Sequence, residues 1–94
     1  MTLQEIAERV ARKLADRPFE GSLRFDCGEE GVIRLAEGTA STLDGPADCT
    51  LALTRENLVK LLTGKLNPMM AMATGKLRLS GDMGVAMRMA KLIG

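Results

Sequence analysis

Apolar residues recur along this chain first every three to four positions, then every second position, then every three to four again. In TLQEIAERVARKLADRP, Leu3, Ile6, Val10 and Leu14 fall on one face of a helix. Thr2 and Glu5 stand at capping-box positions, with Met1 and Ile6 placed to pack across the first turn. Pro18 marks the stop, and Glu5, Glu8, Arg9, Arg12 and Lys13 form the solvated face. SLRFDC alternates, with Leu23, Phe25 and Cys27 on one side and Arg24 and Asp26 on the other. GEEG is a turn, VIRLA returns with Ile33 and Leu35 inward, and EG turns again into the more polar TASTL, which suits an edge strand. After DGPAD, CTLAL places Cys49, Leu51 and Leu53 inward. At Thr54, an N-cap residue, the period lengthens: Leu58, Leu61 and Leu62 form a helical stripe that Gly64 ends. Asn67-Pro68 opens a second short helix that Gly75 ends. KLRLS is a strand with Leu77 and Leu79 inward, and Asp82 caps a final helix.

This order predicts an α+β (mixed α/β) fold. Its single five-stranded, mostly antiparallel sheet includes a crossover and carries helices on one face. Every strand keeps a polar side, so the sheet is covered on one side only. The strand–helices–strand unit from Cys49 to Leu79 has the form of a crossover.

The last two helices carry more apolar surface than docking on a sheet requires. On the final helix only Arg88, Lys91 and Gly84 share a polar sector, whereas a stripe of ~100° is enough for one packed face. Met69, Met70 and Met72 cannot all point one way on the preceding helix. Six of the seven methionines fall between Met69 and Met89. Three uses of that surplus stay open: a core filled by methionine, a deformable wall around an apolar ligand, or a partner surface.

Composition removes most catalytic alternatives. The 94 residues suit one domain over 1–94. A net charge of +1 gives no field that attracts nucleic acid, and a chain with two phenylalanines and no Trp or Tyr has no stacking platform. There is no histidine, so the usual general base and metal ligand are missing. Cys27 and Cys49 form no CxxC pair and read as buried small hydrophobes of a reducing, cytoplasmic compartment, with a bridge left open if their strands are neighbours. No apolar run reaches the ~20 residues of a transmembrane segment. Residues 1–16, with both charge signs, are unlike a signal peptide. TGKL occurs twice, but Val59 and Met70 stand where a phosphate loop needs glycine, so both copies read as helix C-caps. GDMG lacks the third glycine of a dinucleotide site. The expectation is no catalytic residue, no metal and no cofactor.

The stretch ADCTLALTRENLVKLLTGKLNPMMAMATGKLRLSGDMGVAMRMAKLIG, Ala47 to Gly94, resembles the sterol carrier protein 2 lipid-binding domain family. The resemblance runs more loosely through the first helix and GSLRF, and marks a compact version with few aromatics. It implies helix, three antiparallel strands, crossover, strand, helix, strand, helix. It also implies an apolar tunnel between sheet and C-terminal helix that takes a fatty acid, fatty acyl-CoA, sterol or phospholipid. By position, Met69, Met70, Met72, Ala73, Leu77, Leu79, Met83, Ala86, Met87 and Ala90 would line it, with Phe25, Leu35 and Leu51 as the opposite wall. Lys65, Lys76, Arg78, Arg88 or Lys91 would meet an anionic headgroup. The partners implied are a lipid or fatty acyl ligand and a transient membrane contact. The alternative is an interaction or homodimerisation module assisting an enzyme with hydrophobic substrates.

Overall fold

The computed structural model describes residues 1–16 and 20–93, with side chains described as far as Met89. Helix α1 spans Leu3–Asp16, and the Pro18 stop lies outside the described residues. Its start is the expected capping box: the Glu5 amide donates to Thr2 Oγ1 and the Thr2 amide to Glu5 Oε1, both at 3.1 Å. The Thr2 amide, and then the Thr2 hydroxyl, both donating to Glu5 Oε1, hold the exposed Glu5 carboxyl below its ordinary range. Ile6, Ala7, Val10 and Leu14 are its buried stripe.

Strands β1 (Leu23–Asp26), β2 (Val32–Ala36) and β3 (Thr39–Ser41) follow as an antiparallel meander, with a 3-10 turn at Gly28–Glu30. Strand β4 (Cys49–Ala52), helices α2 (Arg55–Leu62) and α3 (Pro68–Ala73), β5 (Arg78–Gly81) and α4 (Met83–Ile93) complete the chain. The sheet order is β3-β2-β1-β4-β5, so the polar β3 is an edge, as its composition predicts. Strand register brings Leu23 opposite Leu35, Phe25 opposite Ile33, and Leu51 beside Phe25 and opposite Leu79. All of these side chains point to the helical face. There α1 covers β2 and β3 at one end of the sheet, and α4 covers β4 and β5 at the other.

The crossover is not where the Cys49–Leu79 pattern predicts it. β4 and β5 are neighbours that run antiparallel, so α2 and α3 form an excursion that returns beside the strand it left. The parallel pair is β1–β4, and the crossing is the link from Thr42 to Asp48, where the family resemblance implies it. Arg24 and Arg34 sit opposite each other on the polar face and hold that link. Arg24 Nη1 donates to Asp44 Oδ1 at 3.1 Å and Arg34 Nε to the Pro46 carbonyl at 2.7 Å. The Arg24 guanidinium keeps the Asp44 carboxyl below its ordinary range. Two like charges facing each other across a ladder repel, and here the crossing chain gives each one acceptor, while Arg24 Nε is buried without a partner.

Asp48 closes this end of the sheet. Its carboxylate accepts from the Ser22 amide at 3.1 Å, and its carbonyl accepts from the Asp82 amide at 2.8 Å. Gly81, at φ +96°, lies so close that any Cβ would collide with that carbonyl.

Candidate functional site

The two TGKL copies are the same device. Each threonine ends a helix, each glycine follows at φ +78°, and each lysine amide donates to the carbonyl five residues back at 2.8 Å. This is a Schellman turn made twice. Each threonine hydroxyl also bonds the carbonyl four residues back, Thr63 to Val59 at 2.8 Å and Thr74 to Met70 at 2.9 Å. The second copy cuts α3 to six residues and sends the chain directly into β5. At the other end of α3, Asn67 Oδ1 accepts from the Met69 and Met70 amides at 2.8 and 3.3 Å.

A helix so short can bury little. Ala71 alone of α3 is buried, while Met69 is 76% exposed and Met70 62%. Helix α4 starts at Asp82, whose carboxylate accepts from the Gly84 amide at 2.8 Å. Its Val85 and Met89 pack into the core. Met83 and Met87, one turn apart, remain 51% and 59% exposed. The surplus predicted for these helices is therefore real. Of the six methionines in this stretch, Met89 is the one buried in the core.

Between α3 and α4 this leaves an open cleft. Leu51 and Leu79, paired across β4 and β5, form its floor together with Leu77 and Leu61. Pro68, Met69 and Met72 of α3 form one wall, and Met83, Ala86, Met87 and Met89 of α4 the other. Among the described residues, every side chain lining it is apolar. The volume open to the centre of a water-sized sphere is about 90 Å³.

The sequence-derived residues thus divide. Leu51, Met69, Met72, Leu77, Leu79, Met83, Ala86 and Met87 come together at the cleft. Phe25 and Leu35 are wholly buried in the sheet–helix core and do not line the cleft, although Phe25 lies beside the floor residue Leu51. Met70 and Ala73 lie on the exposed side of α3, outside the lining. The Ala90 side chain is outside the described residues. Sequence reasoning missed Leu61, Pro68 and Met89. Leu61 belongs to the apolar stripe of α2 and Met89 to the apolar arc of α4, whereas Pro68 carries only a helix-start signal. Lys65, Lys76, Arg78 and Arg88 are exposed, and the Lys91 side chain is outside the described residues.

A second groove of about 100 Å³ separates α1 from α2. Met1, Ile6, Val10, Val59 and Leu62 line it, but so do Arg9, Lys13 and Thr63, which makes its chemistry mixed. Among its described residues the apolar cleft holds no acidic or basic side chain and no hydroxyl or thiol. The two cysteines are buried elsewhere in the core. Burial, then Glu30 and Asp26, pushes the Cys27 thiol up to about 11, and burial raises Cys49 as well. At pH 7 a thiol of that pKa is ionised in roughly one molecule in ten thousand, too little for a nucleophile. Among the described residues no cluster of His, Cys, Asp or Glu could hold a metal, and no helix is long and apolar enough to cross a membrane.

Comparison with known proteins places this geometry in context. The model of the SCP-2 sterol transfer family matches residues 3–94. Sterol carrier protein 2 of Gallus gallus is 47% identical over 100 residues, covering 96% of this chain and 17% of that protein. The chain spans 12–17% of the sterol carrier protein 2 relatives it matches. Among solved structures, Sterol Carrier Protein-2 from Aedes aegypti in complex with palmitate superposes with a TM-score of 0.81 at 20% identity, covering 96% of this chain and 92% of that one. A variant of the sec-alkyl sulfatase PisA1 superposes at 0.77 and 21% identity, covering 99% of this chain but 16% of the sulfatase. Likeness at that identity shows the fold.

Proposed function

This chain belongs to the SCP-2 sterol transfer family, and from that premise we propose that it binds a fatty acyl chain, without catalysis, in the cleft between α3 and α4. Membership supports lipid binding or transfer in general; the ligand class and the site are our own reading. The observation that carries it is a wall of half-exposed methionines over a leucine floor, with no polar group among its described residues. Unbranched, polarizable thioether side chains re-pack around guests of different shape, as branched ones do not. The palmitate in the Aedes aegypti complex is of this chemical class.

Size favours a flexible chain over a rigid ring system. As it stands the cleft, at about 90 Å³, is small beside the ~300–1,000 Å³ of ordinary ligand pockets and takes only part of an acyl chain, each buried methylene gaining ~0.8 kcal/mol. A ~14-carbon chain gains ~11 kcal/mol before association costs, provided the methionines part to cover the rest. Arg78 and Arg88, exposed and adjacent in sequence to lining residues, are our candidates for the headgroup. Transfer would be a short encounter with a membrane, since no helix among the described residues could span one.

The test is displacement of a fluorescent fatty acid by unlabelled palmitate, with native mass spectrometry of the protein from a cell extract. Met87→Trp fills the cleft and should weaken binding about tenfold or more. Met70→Trp, outside the lining, should leave it within about twofold. Equal effects of the two, or no uptake at all, would remove the cleft as the site.

A second reading has one observation behind it: the same fold occupies 16% of the sulfatase chain, so it also exists as part of a larger enzyme. On that reading the methionine surface docks a second copy or an enzyme handling hydrophobic substrates. Sedimentation of a monomer at micromolar concentration would count against the self-association form.

A further inference from the structure

We propose that the thioethers of Met69, Met72, Met83 and Met87 are oxidation sites, at which a hydroperoxide converts the cleft from a lipid-accepting to a lipid-rejecting state. The proposal rests on the lipid-binding reading above. Its basis is a coincidence of two properties in the same side chains: they line the cleft, and they are open to water. In most folds these properties separate, because a methionine that packs against apolar surface is shielded by it. Met89 shows that ordinary case, lining the back of the same cleft at 1% exposure.

The chemistry is a two-electron oxygen transfer. A sulfur lone pair attacks one peroxide oxygen, an S–O bond forms and the O–O bond breaks. The proton on the transferred oxygen passes to the departing hydroxide, so thioether and hydrogen peroxide become sulfoxide and water. The step needs no protein base, and among the described residues the cleft offers none. It is reversible by methionine sulfoxide reductases, one for each sulfoxide epimer.

The consequence follows from the lining. A sulfoxide oxygen is a strong acceptor, and among the described residues the cleft presents no donor side chain to it. It must either sit unpaired against a bound acyl chain or swing out to water and take its side chain from the wall. Both outcomes weaken binding: the first by the cost of an unmet polar group, the second by lost apolar contact. A tenfold loss corresponds to about 1.4 kcal/mol, within what one such group costs in protein interiors. Met70 provides a control within the same helix, being more than half exposed yet outside the lining.

The experiment treats the whole chain with graded hydrogen peroxide and maps sulfoxides by peptide mass spectrometry. Fluorescent fatty acid affinity is measured before treatment, after it, and after both reductases. We expect sulfoxide at Met69, Met70, Met72, Met83 and Met87 well before Met89, an affinity loss of about tenfold or more, and recovery on reduction. Bound palmitate should slow oxidation of Met83 and Met87 but not of Met70. A variant with Met69, Met72, Met83 and Met87 all changed to Leu keeps Met70 oxidisable. Compared with its own untreated form, its affinity should then ignore peroxide. Far-UV circular dichroism of both treated proteins checks that the fold survives. Sulfoxides at the four positions with unchanged affinity would overturn this proposal alone, as would sensitivity that persists in the Leu variant. An untreated protein that takes up no fatty acid would overturn the lipid-binding reading, and this one with it.

Discussion

Single residues here act mostly through backbone geometry. Gly81 combines a left-handed φ with direct approach to the Asp48 carbonyl, and that carbonyl is held by the Asp82 amide. The neighbour is main chain and cannot yield. Gly81→Ala should therefore lower stability by on the order of 3 kcal/mol, combining backbone strain with the collision. Gly64, at φ +78° with open space around it, supplies the contrast. Its change to Ala should lose only about 1 kcal/mol, the conformational part alone. Urea denaturation of the two variants measures the difference, and equal losses would mean that the sheet end relaxes around the new methyl group. The Cys27 thiol also bears on stability, through pH. Its folded pKa lies above the ordinary 9.0, so it leaves stability unchanged below that value and erodes it as pH rises toward about 11.

At the scale of elements, α3 is the weakest part of the site. Six residues are too few for a helix to stand by itself, so it depends on Asn67 at one end and the Schellman turn at the other. Asn67→Ala removes both bonds to the first-turn amides and should cost about 1 kcal/mol locally. Because α3 carries one wall of the cleft, fatty acid affinity should drop several-fold while the global unfolding midpoint moves little. A variant that loses stability without losing affinity would show that the wall does not need its cap. Elements of this kind were legible in the sequence because their signals are local. Capping residues, glycine stops and the change from period two to period four sit within a few positions of the ends they mark. Strand neighbours are a different matter. Alternation in CTLAL and KLRLS states which side chains face inward, not which strand lies beside which, so the antiparallel β4–β5 pair looked like a crossover. The site was half legible for a related reason. The apolar surplus of α3 and α4 could be counted on a wheel. Phe25 and Leu35 face inward as the alternation states, but alternation does not specify strand order, and that order sets them one and two strands from the floor residue Leu51.

For the molecule as a whole, the decisive feature is the parallel β1–β4 seam. On one side lie α1 and the β1–β2–β3 meander, and on the other everything from Cys49 onward. The strap over the polar face, gripped by Arg24 and Arg34, is the covalent link between them. Every described residue lining the apolar cleft, from Leu51 to Met89, belongs to the second side. The fold can then be seen as a frame and a working half that share one parallel ladder and one core. Local openings of a protein follow such contiguous units, and a ligand slows exchange in the unit it holds. Amide hydrogen exchange with palmitate bound should slow in α3, β5 and α4 and stay unchanged in α1 and β2. Slowing spread evenly over both halves would mean that the seam transmits what the cleft feels. If the seam insulates instead, the amino-terminal half is open to sequence change, or to new contacts of its own, without disturbing the lipid.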